Sequence, residues 1–162
     1  MKTGWVRAVA LVCVSALAFC LFSCRPARRD PFAFRKQPFE AVISGEMNGV
    51  NFSAKVAVTA SEGRVRFTSP AILDGLELVK AGDRVTLVKN GISVQTDLSS
   101  LRGLLRPLTI LTETDGEPLR IARQGDQYAI DFANGVSFTV SVAGIPRFVS
   151  FPEGSFRITD FS

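Results

Sequence analysis

The chain has 162 residues, a formal net charge of +4 and no histidine. The absence of histidine excludes a Ser-His-Asp triad, a histidine general base and the commonest zinc sites. The cysteines are Cys13, Cys20 and Cys24, so residues 25–162 offer neither a disulfide nor a cysteine nucleophile. We expect no cofactor.

The first 23 residues have the pattern of a secretory signal peptide. Lys2 and Arg7 form a basic start, and residues 8–23 contain no charged side chain. This apolar run is short for a membrane span, because a helix needs about 20 apolar residues to cross the hydrocarbon core. Cys13 and Cys20 are interpreted as apolar residues of this segment. A tilted signal anchor that stays attached to the protein is the alternative.

The stretch LFSC, which ends at Cys24, resembles the lipobox of bacterial lipoproteins. It has Leu21 at position −3, Ser23 at −1 and Cys24 at +1, whereas Phe22 occupies position −2, where a small residue is usual. The resemblance implies that residues 1–23 are removed and that Cys24 carries a diacylglyceryl group with acyl chains such as palmitate. It also implies export and anchoring to the bacterial cell membrane through a lipid at Cys24.

Residues 25–38, RPARRDPFAFRKQP, contain three prolines and several basic side chains. This composition predicts an extended linker between Cys24 and a single domain at residues 39–162. Each basic residue near an anionic membrane would contribute about 1 kcal/mol of attraction, and a plain solvated linker is the alternative. Loss of Lys2 and Arg7 lowers the net charge from +4 to +2, so nucleic acid is not an expected partner.

Three Asn-Gly pairs, each flanked by alternating apolar residues, predict β-hairpins in the folded part. They are Asn48-Gly49, Asn90-Gly91 and Asn134-Gly135. Asn and Gly tolerate the positive φ angles of a two-residue hairpin turn, which makes this pair a strong hairpin signal. Apolar and polar residues alternate around these turns, as in VNFSAKVAV at residues 50–58. One dry and one wet face are typical of an antiparallel sheet, arranged as a meander, sandwich or barrel.

One leucine-rich segment, DLSSLRGLLRPLTIL, follows helical spacing instead and predicts a helix near residues 98–111. The leucines that share one face of it are Leu98, Leu101, Leu105 and Leu108. Asp97 is the expected N-cap, Gly103 weakens the helix, and Pro107 is expected to end or kink it. We expect this helix to lie across the open side of a curved sheet and to cover its apolar face.

The acidic and aromatic residues give no sign of catalysis. The acids near residues 74–83 and 113–117 show neither EF-hand spacing nor the features of a catalytic carboxylate pair. The chain has 13 Phe but one Tyr and one Trp, and the last two are the aromatics enriched at interfaces. So many Phe residues suit either a filled core or an apolar cavity. We expect a protein that is not an enzyme and that binds no metal.

Residues 64–98 resemble the central segment of Lol-type lipoprotein carriers and of related lipid-binding lipoproteins of mycobacteria. The matching features, in chain order, are Phe67, Ser69-Pro70, Leu73, Gly75, Gly82-Asp83 and the strand at residues 85–88. The resemblance implies a mainly β fold, in which a curved antiparallel sheet of eleven or slightly fewer strands forms a half-barrel. It also implies an apolar cavity, plugged by helices, that accepts acyl chains without enzymatic chemistry. This chain departs from those carriers in being short and in having one clear helix.

The resulting functional prediction is a membrane-anchored lipoprotein that binds a lipid, an acyl chain or another lipoprotein in an apolar cavity. The residues predicted to line this cavity are Phe52, Phe67, Leu78, Leu87, Leu101, Leu105, Leu108 and Phe138. The alternative is an envelope scaffold or protein-interaction module with a filled core and no ligand.

Overall fold

The computed structural model describes residues 30–113 and 116–162. The predicted signal peptide, the lipobox and the lipidation site Cys24 lie outside these residues.

Eleven strands form a single antiparallel sheet whose two edges are β6 and β7, so the sheet does not close into a barrel. The strands are β1 (Phe39–Met47), β2 (Val50–Val58), β3 (Gly63–Ser69), β4 (Glu77–Ala81), β5 (Arg84–Lys89), β6 (Ile92–Asp97), β7 (Arg120–Gln124), β8 (Gln127–Asp131), β9 (Ser137–Ser141), β10 (Pro146–Phe151) and β11 (Gly154–Phe161). Their order is β6-β5-β4-β3-β2-β1-β11-β10-β9-β8-β7. The prediction of a mainly β, open antiparallel sheet is confirmed.

The centre of the sheet is the pairing of β1 with β11, which brings the first and last strands together. Gly45 of β1 lies opposite Phe156 of β11. A Cβ atom on Gly45 would lie 2.1 Å from the carbonyl oxygen of Ser155 and 2.5 Å from the Cα of Phe156. Glycine at this position therefore allows a close approach of the two strands that no larger residue permits.

Two of the three Asn-Gly pairs form the predicted hairpin turns. Asn48 and Gly49 have φ angles of 51° and 78°, and Asn90 and Gly91 have φ angles of 52° and 80°. Positive φ at both central residues defines the type I′ turn, whose twist matches that of the flanking strands.

The third pair also connects two paired strands, β8 and β9, but through a different turn. Only Gly135 has a positive φ, of 79°. The side-chain oxygen of Asn134 accepts a hydrogen bond of 3.1 Å from the Val136 N–H, and the Phe132 N–H donates to the Val136 carbonyl at 2.9 Å. In this longer loop Asn134 does not adopt the left-handed conformation expected of it. Its side chain instead makes a local hydrogen bond that stabilises the turn.

A 3-10 turn at Ser99–Leu101 leads into helix α1 at Arg102–Thr112, which connects the two edge strands. The helix predicted near residues 98–111 is confirmed. The Asp97 carboxylate accepts a hydrogen bond of 2.9 Å from the Ser100 N–H and bonds from the hydroxyls of Ser99 and Ser100. These contacts stabilise the first turn, but the prediction that Asp97 is the N-cap is wrong, because Leu98 precedes the 3-10 turn and Leu101 precedes α1 in the N-cap positions.

Of the two effects expected of Pro107, an end to the helix does not occur, since α1 continues to Thr112. Pro107, Leu108, Ile110 and Leu111 are all buried. Burial of the turn that follows Pro107 against the sheet offsets the loss of one backbone hydrogen bond. Leu108 packs on β3, where a Cβ atom on Gly63 would lie 2.9 Å from a Leu108 methyl carbon.

Part of the segment expected to be an extended linker is folded against the sheet. Residues Ala33–Lys36 form a 3-10 helix, and Phe34 is only 8% exposed. The ring of Phe34 lies 5.9 Å from the rings of both Phe39 and Phe161. The prolines and charges of this segment predict an extended linker. They give no sign that its phenylalanines complete the core.

We predict that an added methyl group has opposite effects at two glycines. Gly45→Ala places its Cβ in the closely packed contact between β1 and β11, so the free energy of unfolding should fall by about 1–3 kcal/mol. Gly103 lies in α1 with open space around it, so Gly103→Ala should raise that free energy by up to about 1 kcal/mol. Urea unfolding measures both values, and a loss in both variants would contradict this packing.

We also predict a pH-dependent contribution from Asp97. Hydrogen bonds from the Ser99 hydroxyl and then from the Ser100 N–H hold the pKa of the Asp97 carboxyl below its ordinary value. A carboxyl whose folded-state pKa is lowered stabilises the fold above its unfolded pKa, and that stability is lost as the pH falls through the folded pKa. The difference in Tm between wild type and Asp97→Asn should therefore shrink as the pH falls below about 4, the ordinary pKa of an aspartate. A difference that stays constant over this range would contradict the prediction.

Candidate apolar ligand site

The eight residues predicted to line a cavity all belong to, or pack on, one hydrophobic core. Phe52, Phe67, Leu78, Leu105, Leu108 and Phe138 are between 0% and 3% exposed. Leu87 and Leu101 are partly exposed and pack against the core. The structure thus brings these residues together, while the cavity among them stays a prediction.

A row of directly opposite apolar residues runs across the concave face from this core to the edge of the sheet. Val65 on β3 lies opposite Leu78 on β4, Leu78 opposite Leu87 on β5, and Leu87 opposite Val94 on β6. Directly opposite residues of antiparallel strands point to the same face. Exposure rises along the row from 0% at Val65 and Leu78 to 52% at Val94. The core therefore reaches solvent without interruption at this edge.

Ile92 extends the same apolar surface. It lies two residues from Val94 on β6, so it shares the concave face, and it is 68% exposed. We call Leu87, Ile92 and Val94 together the open strip. The intervening Ser93 and Gln95 point to the opposite face. The sequence alternation assigned Ile92 and Val94 to an apolar face, but it gave no sign that this face is uncovered there.

Helix α1 covers the other end of β3–β5 and leaves the open strip exposed. Leu108 of the helix packs on Gly63, and Glu113, just after the helix, pairs with Lys80 of β4 at 3.0 Å. Lys80 lies opposite Val85, near the start of β5. Lys89 ends that strand four residues later, about 13 Å away along its axis. The strip beside Lys89 is thus at the end of the sheet away from these helix contacts.

The opposite edge of the sheet also carries exposed apolar side chains. Ile121 of β7 is 52% exposed and lies opposite the fully buried Ile130 of β8, and Leu119, two residues before it, is 73% exposed. The next residue on the face of Ile121 is Arg123, which lies opposite Tyr128. A charged side chain therefore borders the apolar surface at this edge.

Arg35 joins the N-terminal segment to the end of α1. Its Nη2 and Nε atoms donate hydrogen bonds of 2.7 and 3.1 Å to the carbonyl oxygens of Ile110 and Leu111. The guanidinium carbon lies 4.5 Å from the Phe32 ring centroid and 5.2 Å from that of Phe138. A cation beside the last carbonyls of a helix is favoured by their partial negative charge. These contacts fix the end of α1 beside the core.

The convex face carries a polar groove of about 420 Å³ whose charges are balanced. The charged residues that line it are Glu40, Lys55, Arg64, Arg66, Glu77 and Asp160. Arg64 pairs with Glu62 at 2.5 Å and with Glu77 at 3.5 Å, and the hydrogen bond to Glu62 raises the pKa of Arg64. With three cations and three carboxylates around it, this groove favours no particular ligand charge.

Within residues 30–113 and 116–162, no cluster of acidic, histidine or cysteine side chains could hold a metal ion. In the same residues, no helix is both long and apolar enough to cross a membrane.

The site and fold define an open antiparallel half-barrel with one covering helix. No protein-family model matches the chain, and no curated protein matches it. Among solved structures, an uncharacterized conserved protein from Thermus thermophilus is similar over 82% of this chain and 83% of its own, with a TM-score of 0.57 and 14% identity. The likeness supports a shared fold.

Two further kinds of structure align less closely. A LolA superfamily protein from Nitrosomonas europaea aligns over 78% of this chain and 86% of its own, at a TM-score of 0.41 and 11% identity. MucB of the Pseudomonas aeruginosa MucA/MucB complex gives a TM-score of 0.47 at 15% identity, and this chain spans 53% of its length. Both TM-scores lie below 0.5, so neither likeness assigns a ligand or partner.

We predict that Arg35→Ala lowers the free energy of unfolding by about 2–4 kcal/mol, because it removes charged hydrogen bonds and ring contacts in a partly buried site. Lys36→Ala in the same 3-10 helix is the matched control. Lys36 makes an exposed ion pair with Asp30, so its loss should cost about 1 kcal/mol or less. Urea unfolding of both variants tests the difference, and equal losses would contradict the role given to Arg35.

Proposed function

We propose that this protein binds an acyl chain or lipid at the open strip, without enzymatic chemistry, while a lipid at Cys24 anchors it to the membrane. The observation that carries the proposal is the continuous row from the buried Leu78 through Leu87 to the half-exposed Val94. An apolar chain laid on this row would extend the hydrophobic core.

Exposed apolar residues in a connected group are the physical reason for this choice. Single exposed apolar side chains are ordinary, whereas contiguous ones bounded by polar residues mark interaction sites. Each CH₂ group that leaves water contributes about 0.8 kcal/mol, so a few methylenes on the strip suffice for measurable affinity. The scarcity of Tyr and Trp in the chain fits an apolar ligand better than a sugar.

The location follows from the N-terminal sequence. The basic start, the uncharged run and the LFSC stretch support export and lipidation at Cys24. The folded part begins by Asp30, where the Phe32 N–H already donates to the Asp30 carboxylate. Six residues span at most about 20 Å. The domain would therefore stay at the membrane surface, within reach of lipids or of other lipidated envelope proteins.

A protein partner is the second candidate, and the edge strand β6 is the feature that favours it. β6 is the outermost strand of its half of the sheet, and Ile92, Ser93, Val94 and Gln95 are all exposed. An edge strand can add an extended peptide through main-chain hydrogen bonds, with alternate side chains giving specificity. This role would make the protein an envelope interaction module with no lipid ligand.

Lipid extraction tests the proposed function directly. Residues 30–162 would be expressed without the anchor, purified without detergent, checked for cooperative unfolding and extracted with organic solvent. Mass spectrometry should find about one lipid per protein molecule, absent from a mock purification. An empty extract from folded protein would refute ligand binding and favour the protein-partner candidate.

Two neighbouring substitutions locate the ligand on one face of β6. Val94→Gln removes apolar surface from the open strip, so lipid occupancy should fall by roughly threefold to tenfold. Ser93→Gln introduces the same side chain on the opposite face and should leave occupancy unchanged. Equal occupancy in both variants would show that the lipid binds elsewhere.

A further inference from the structure

Lys89 stands at the end of the open strip and points to the same concave face. It is the last residue of β5 and lies directly opposite Ile92 of β6. Its Nζ donates a hydrogen bond of 2.7 Å to the carbonyl oxygen of Ile72, in the turn between β3 and β4. The cation is therefore held beside the apolar surface rather than extended away from it.

The two lysines on the concave face of β4 and β5 differ in their partners. Lys80, at the end covered by the helix, pairs with the Glu113 carboxylate at 3.0 Å. Lys89, at the open end, forms no ion pair with a carboxylate of residues 30–113 or 116–162. The hydrogen bond that it makes within those residues is to a neutral carbonyl. An ammonium group has three N–H donors, so two remain for a ligand.

We propose that the site takes an anionic amphiphile, whose acyl chain lies on Leu87, Ile92 and Val94 and whose carboxylate or phosphate accepts hydrogen bonds from Lys89. This inference rests on the proposed function and adds the class of headgroup to it. Ile92 and Lys89 are a cross-strand pair, so the charge and the start of the apolar strip are side-chain neighbours. An anionic head joined to an acyl chain matches that arrangement, whereas a neutral lipid would leave Lys89 without a charged partner.

The test compares probes that share one chain and differ in the head. The full chain, in phosphatidylcholine vesicles, is irradiated with diazirine-bearing palmitic acid, its primary amide, or a lysophosphatidic acid with the same chain. Labelling of the peptide that contains β5 and β6 is measured by mass spectrometry. The acid-to-amide and phosphate-to-amide ratios are then compared between wild type and variants, because partition of each probe into the bilayer cancels in that comparison.

Lys89→Gln should lower at least one of these ratios by about threefold to fivefold, which is the change in affinity expected from the loss of a partly exposed ion pair. Labelling by the amide should stay unchanged. The ratio that falls identifies carboxylate or phosphate as the preferred head. Lys89→Arg should retain the preference, and Lys55→Gln, which removes a lysine from the convex groove, should leave every ratio as in wild type.

The outcomes separate the two proposals. If all three probes label β5 and β6 but Lys89→Gln changes no ratio, the headgroup inference is wrong and acyl binding stands. If Lys55→Gln lowers the ratios as much as Lys89→Gln, the preference reflects general surface charge and the inference is again wrong. If no probe labels β5 or β6, the proposed function itself fails.

Discussion

Helix α1 is much shorter than the concave face of the sheet is wide. The arrangement of the other groups on that face depends on this difference. Eleven strands spaced about 4.8 Å apart give a concave face about 48 Å across. Helix α1 has 11 residues and is about 16 Å long. One such helix cannot shield the whole face, so other groups must cover the remainder or it stays exposed. On one side of the sheet other side chains cover the face, and on the other side part of the face stays exposed.

Phenylalanine rings beside the end of the helix cover part of β1, β9 and β11. Phe32, in the segment before β1, lies 5.7 Å from the Phe132 ring and 5.5 Å from the Phe138 ring. Phe34 packs on Phe39 and Phe161 in the same way. The abundance of Phe thus has a structural role, since these large rings fill space beside the sheet that the single helix does not fill. Nothing comparable packs on β5 and β6 among the described residues, and the open strip results.

Local sequence signals were sufficient for the antiparallel class of the sheet, for two hairpin turns and for the helix. Asn48-Gly49 and Asn90-Gly91 specify their own turns, and the leucine spacing after Asp97 specifies α1. The packing of residues 30–37 could not be predicted in this way, because Phe34 meets Phe161 at the far end of the chain. Alternation likewise shows which face Val94 occupies, but exposure depends on where the helix ends. Of the three residues of the open strip, the sequence therefore predicted only Leu87 as a site residue. The tertiary structure was needed to identify the exposed residues Ile92 and Val94.

The two ends of the concave face also differ in how their charged side chains are paired. At the covered end, Arg35 holds the last carbonyls of α1 and Glu113 pairs with Lys80. Both cations there have partners within the protein. At the open end, Lys89 donates a hydrogen bond to a backbone carbonyl and has no ion pair with a carboxylate of the described residues. Residues 30–37 pack beside the end of α1 and not beside β6. The proposed attachment at Cys24 would therefore leave the open strip uncovered.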